Sequence, residues 1–165
     1  MGERLFIYYI RDSMKEELSI ALLQFDMCWE ETHTNRLQIE EYISGLLGVD
    51  IILLPEMFST GFSVESTHLA ESMDGDTVEW MKSIAQKKDS VLCGSLMIKE
   101  AGCIYNRLLW VEPNGVIQHY DKRHLFSLIE EGRCFTAGKK RLIIDYKGWR
   151  ICPLICYDLR FPVFS

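Results

Sequence analysis

The chain has 165 residues, 48% of them hydrophobic and 12% aromatic. That is enough apolar material for one buried core and too much for a disordered, collagenous or coiled-coil chain. Asp and Glu outnumber Lys and Arg by 24 to 18, a net charge of −6, and no basic stripe is present to neutralise phosphates, which argues against a nucleic-acid partner.

Apolar runs such as 51–54 stop far short of the roughly 18–20 residues needed to cross a bilayer. The apolar stretch 5–10 leads into Arg11 and Asp12 without a small-residue cleavage site, so neither a membrane span nor an export signal is expected. Six cysteines in a chain with its own core suit reduced thiols and a cytoplasmic location better than a disulfide scaffold.

Residues 1–13 differ from the rest of the chain and read as an N-terminal extension, with Met14 a natural start and 14–165 the domain. A buried-strand pattern over 18–25 comes first. Thr34 and Asn35 can cap a helix whose apolar positions Ile39, Tyr42, Ile43, Leu46 and Leu47 recur at helical spacing, so 34–47 is predicted helical and Gly48 ends it. The run 49–54 is β-branched and apolar, the pattern of a strand covered on both faces, and Pro55 closes it. Asp76 with Glu79 resembles a capping box, and Val78, Met81, Ile84 and Ala85 give one apolar face, predicting a helix over 77–88.

Strands are then expected over 90–98 and 104–111, over 116–120 after the turn Pro113-Asn114-Gly115, and as a pair, 141–146 and 149–155, across Lys147-Gly148. The long loop from about 122 to 139 is expected to be functional. The order predicts an α/β domain with helices on one face of a mixed sheet.

Three segments carry residue types that a packed core would not choose. Glu56 follows a buried strand and a proline that blocks its continuation, where a carboxylate can serve as a general base; taken alone, it also reads as a solvated loop glutamate. Lys122 lies just past a strand, placed to offer an ammonium to a developing oxyanion, although a surface lysine is the alternative. His124 reads as a hydrogen-bonding structural residue. Cys156 is expected to end a strand and start a sharp turn into a helix, an exposed elbow with backbone N–H groups nearby, where a nucleophile belongs; a small buried cysteine is the alternative. Cys152 and Cys156 are spaced in no common zinc pattern, so no metal site is expected.

The motifs Leu-Pro-Glu-Met-Phe, Tyr-Asp-Lys-Arg-His-Leu-Phe and Cys-Tyr-Asp-Leu-Arg-Phe-Pro, in this order, closely resemble the nitrilase superfamily of carbon-nitrogen hydrolases. The likeness runs from about Leu18 to Ser165 and is strongest to the omega-amidase branch, which hydrolyses the terminal amide of 2-oxoglutaramate and 2-oxosuccinamate.

The resemblance implies a nitrilase-like four-layer α-β-β-α sandwich, of which this chain would be the N-terminal portion, because family members continue beyond the point matching Ser165. It also implies that Glu56 is the general base, Cys156 the nucleophile and Lys122 the stabiliser of the tetrahedral intermediate. Glu131 would stand beside the lysine, and the backbone N–H of Tyr157 would complete the oxyanion site. Asp158 would brace the elbow. Arg160 and Phe62 are candidate substrate contacts, with bracing the alternative for Arg160.

The expected reaction releases ammonia from a small amide through a cysteine thioester, with no metal or organic cofactor. Hydrolysis of N-carbamoyl amino acids or aliphatic amides is an alternative, as is an inert remnant or interaction module of the same fold. A full-length member is expected to form a homodimer.

Overall fold

The computed structural model describes residues 4–10, 17–127 and 131–164. Met14, Glu130 and Ser165 lie outside the described residues. The sheet is built on β2 (Leu18–Gln24), α1 (Thr32–Tyr42), β3 (Ile51–Leu53), α2 (Asp76–Lys88) and β4 (Val91–Glu100). The three strands of this run are parallel, each joined to the next through a helix.

β5 (Cys103–Val111) and β6 (Ile117–Asp121) then add antiparallel partners. At the opposite edge β1 (Arg4–Ile10) pairs antiparallel with β2, its side chains exposed throughout. The result is the expected mixed α/β sheet, six strands in the order β1 to β6.

The sheet is covered on both faces, and the period-2 alternation of its strands sorts the core into two clusters. Ala21, Leu23, Ile52, Leu92, Leu96, Leu109 and Val111 face the helices, packing on Ile39 and Ile43 of the α1 region and on Val78, Met81, Ile84 and Ala85 of α2. Leu18, Ile51, Val91, Cys93, Leu108 and Trp110 face the other way, against Ile144, Ile155, Tyr146 and Trp149. Both helices therefore lie on one face, and the chain after residue 140 lies on the other.

Several boundaries differ from the predicted ones. The first helix starts two residues earlier, with Glu31 in the N-cap position. Asn35 does not cap it. Its buried amide instead accepts the Cys28 N–H at 2.8 Å and donates to the Cys28 and Ser59 carbonyls. The helix ends at Tyr42 rather than 47, where Ser44 and Gly45, both weak helix formers, open a turn before Gly48 at φ 65°.

The Asp76 box does not form either. Gly75 is the N-cap of α2, and the remote Glu71 carboxylate accepts the Thr77 N–H at 2.7 Å and the Thr77 hydroxyl. The last strand pair is shorter than predicted, β7 (Ile144–Tyr146) with β8 (Trp149–Ile151), and 152–155 run on outside any strand.

Candidate active site

Glu56 is held by what surrounds it in the chain. After β3 the Leu54 N–H still reaches the Cys93 carbonyl at 2.7 Å, but Pro55 has no N–H to continue the ladder. Met57 then turns the backbone with φ 53°. Its N–H donates to Ser95 Oγ at 3.0 Å, and the Phe58 N–H to the Ser95 carbonyl at 3.2 Å. Gly94 makes this close approach feasible, since a Cβ there would lie 2.8 Å from Leu54 and 2.9 Å from Phe58. The turn buries Met57 and Phe58 and leaves Glu56 at the end of the sheet.

Lys122 sits one residue beyond β6. Its N–H donates to the Asn106 carbonyl at 2.9 Å, and its own carbonyl accepts the Gly138 N–H at 2.9 Å. Gly138 packs so closely that a methyl group there would run into the Asp121 carbonyl. The surface-lysine alternative fails, because Lys122 is 1% exposed.

The Lys122 Nζ donates to Glu56 Oε1 at 2.8 Å and to both oxygens of the fully buried Glu131, at 2.9 and 3.1 Å. Glu131 also accepts the Phe126 N–H at 2.6 Å. Burial alone would favour the neutral amine, yet contact with Glu56 and then Glu131 outweighs it and holds the lysine pKa above its ordinary value. One ammonium thus faces two carboxylates.

The elbow is a 3-10 turn over Cys156–Arg160, entered with Cys156 at φ 41°. Contrary to expectation, Cys156 does not end a strand: β8 stops at Ile151 and an unpaired stretch intervenes. What fixes the turn is Asp158, fully buried. Its Oδ2 accepts the Tyr120 hydroxyl at 2.7 Å and the Ile155 N–H at 3.1 Å, and its Oδ1 accepts the His124 N–H at 2.9 Å.

His124 Nδ1 lies 2.8 Å from the same oxygen, and its ring stacks on Phe161 at 3.8 Å between centroids, a structural placement. The Tyr120 hydroxyl is kept protonated by burial and by Asp158, so it remains a donor. Cys156 itself is exposed. Burial of its sulfur, then the charge of Glu56, raises the thiol pKa, and Lys122 opposes the rise.

A cavity of about 360 Å³ brings the candidate residues together: Glu56, Phe62, Lys122, Cys156, Tyr157 and Arg160 line it. The Phe62 ring lies 5.2 Å from Lys122 Nζ, and the Tyr157 ring packs edge-on against Phe126. Glu131 stands behind Lys122, outside this lining. Arg160 is at the wall and exposed, whereas Asp158 is the residue that braces the turn.

Sequence reasoning missed Asn106. It is fully buried on β5, and its Nδ2 donates to Glu56 Oε1 at 2.7 Å and to Glu131 Oε1 at 3.4 Å. In the sequence it is a polar residue beside Arg107 in a strand-like run, with no signal of its own. Among the described residues no group of His, Cys, Asp or Glu could hold a metal ion, and no helix is long and apolar enough to cross a membrane.

Comparison with known proteins gives the family and the fold. The profile of a family described as carbon-nitrogen hydrolase matches residues 19–165. The chain is 42% identical over 148 residues to the omega-amidase YafV of Escherichia coli K12, covering 90% of this chain and 57% of the relative. It is 30% identical over 148 residues to the 2-oxoglutaramate amidase of Bacillus subtilis, with 87% and 57% covered.

Among solved structures, XC1258 of Xanthomonas campestris, a CN-hydrolase superfamily protein with an arsenic adduct in its active site, superposes with a TM-score of 0.86 at 43% identity. The match covers 88% of this chain and 55% of that one. Nit3 of Saccharomyces cerevisiae, of the nitrilase superfamily, shares the fold with a TM-score of 0.77 at 23% identity, over 89% of this chain and 58% of that one. The chain therefore has a nitrilase-like fold and spans a little over half the length of the curated relatives it matches.

Proposed function

We propose that this chain, which belongs to the carbon-nitrogen hydrolase family, carries the site of a thiol amidase that hydrolyses a small carboxylic-acid amide. The observation that carries the reading is the Lys122 ammonium bridging Glu56 and Glu131, with Cys156 in the same cavity.

A thiol with a raised pKa is protonated at neutral pH and needs a base to react. Glu56 is that base. Cys156 Sγ attacks the amide carbonyl as Glu56 takes the thiol proton, and the negative charge that grows on oxygen is met by Lys122 and by the backbone N–H of Tyr157. Glu56 then passes its proton to the leaving nitrogen, ammonia departs and a thioester remains. Water, deprotonated by Glu56, attacks the thioester, releases the acid and restores the thiol.

The substrate class that the relatives favour is an omega-amide of a 2-oxo dicarboxylate, such as 2-oxoglutaramate. Arg160, exposed at the cavity wall, suits the free carboxylate of such a substrate. The arsenic adduct in the active site of the Xanthomonas relative supports a thiol nucleophile, since arsenicals bond thiols.

Ammonia release from 2-oxoglutaramate tests the reading. The chain should release ammonia and its Cys156→Ala variant should not; ammonia release retained in Cys156→Ala removes Cys156 from the mechanism.

A further inference from the structure

Glu56 has two oxygens, and the structure treats them differently. Oε1 accepts from Lys122 Nζ at 2.8 Å and from Asn106 Nδ2 at 2.7 Å, which occupies it. We propose that Asn106 is a positioning residue that ties down Oε1 of Glu56, leaving Oε2 as the oxygen that exchanges protons with Cys156. The inference rests on the reading of Glu56 as the base.

Three observations carry it. The first is orientation: the amide sits between two carboxylates that accept and do not donate, so Nδ2 must point at them and Oδ1 away. The second is the state of the other amide atom, for Oδ1 is buried with no hydrogen-bond partner. An amide with an unmet acceptor is a poor filler for a core, so the use of Asn106 lies in its donor. The third is charge. A neutral donor orients Glu56 without adding a second charge to the single ammonium that faces the two carboxylates.

The same residue also sets the lysine, because its carbonyl accepts the Lys122 N–H at 2.9 Å. That contact belongs to the backbone and survives a side-chain substitution, which separates the two roles.

The experiment compares the full chain with Asn106→Ala, Asn106→Leu and Glu56→Gln in ammonia release from 2-oxoglutaramate, with thermal unfolding of each. Asn106→Leu matches the native side chain in size and removes the unmet Oδ1 together with the donor, so it guards against a fold defect in Asn106→Ala. The expected result is a kcat lowered by about a hundredfold, the scale of misplacing a catalytic group, with KM within about a factor of two. If a folded Asn106→Leu keeps kcat within about threefold while Glu56→Gln is inactive, the positioning role is wrong and Glu56 stands as the base. If Glu56→Gln keeps its activity, or if the unsubstituted chain releases no ammonia, the reading beneath it is wrong as well.

Discussion

The two sides of the cavity that holds Glu56, Lys122 and Cys156 are built on opposite principles. The charged side sets Glu56 and Lys122, from the ends of β3 and β6, against Glu131 of a later short helical turn, and is anchored by several elements at once: Ser95 on β4, Asn106 on β5 and the Phe126 N–H each hold part of it. The Cys156 side has no strand partner along 152–155 and relies on one buried carboxylate, Asp158, which accepts from three residues. Charge is therefore placed by redundant contacts, because a misplaced buried charge is costly. The thiol, neutral and exposed, is placed by a single clasp.

Breaking the redundant side should have the largest effect. Glu131→Ala leaves the Lys122 ammonium buried with one partner in place of two. Removing one member of a buried pair typically costs about 3–5 kcal/mol, and a loss of that order in urea or thermal unfolding is expected, together with loss of ammonia release. A change below about 1 kcal/mol would mean that the cluster is not energetically coupled.

Breaking the clasp should act on the elbow. Asp158→Ala leaves the Tyr120 hydroxyl and the Ile155 and His124 N–H groups without their acceptor, at about 1–3 kcal/mol for each group that stays buried and unmet, less for those that reach water. Activity should fall while the Glu56–Lys122–Glu131 contacts persist, so kcat loss that exceeds the loss of stability is the signature. Activity retained in a folded Asp158→Ala protein would show that the turn holds itself.

The smallest and sharpest effect is a shift in titration. Burial and the charge of Glu56 raise the Cys156 thiol, so its alkylation by iodoacetamide, followed by peptide mass, should reach half-maximum above the ordinary thiol value of about 8.5. Glu56→Gln removes a negative charge that disfavours the thiolate, so the midpoint should move down; an unchanged or higher midpoint would place the two groups out of contact. Cys93 is an internal control: burial pushes its pKa up to about 12, and it should stay unmodified throughout.

Much of this was legible in the residue order, for reasons that differ from element to element. Strands β2 to β6 and helix α2 follow from apolar periodicity, which depends on near neighbours. Glu56, Lys122 and Cys156 stood out because each is a chemically capable side chain at or just past the end of a strand-like run. Glu131 came only from the family resemblance, since nothing local marks a glutamate in a long loop.

Asn106 was not legible. Neither were the remote cap that Glu71 supplies to α2 or the use of Asn35 to tie loops together instead of capping α1. Each of these polar side chains has a plausible local role, and the fold gave it a distant one.

The sequence by itself determined the mixed sheet and the helices on one face, because hydrophobic burial follows spacing along the chain. Only the tertiary structure decided which polar atoms meet. Lys122 reaches Glu56 across 66 residues and Asn106 reaches it across 50. Buried donors and acceptors must find partners wherever the packed sheet brings them, and that choice is written in no local pattern.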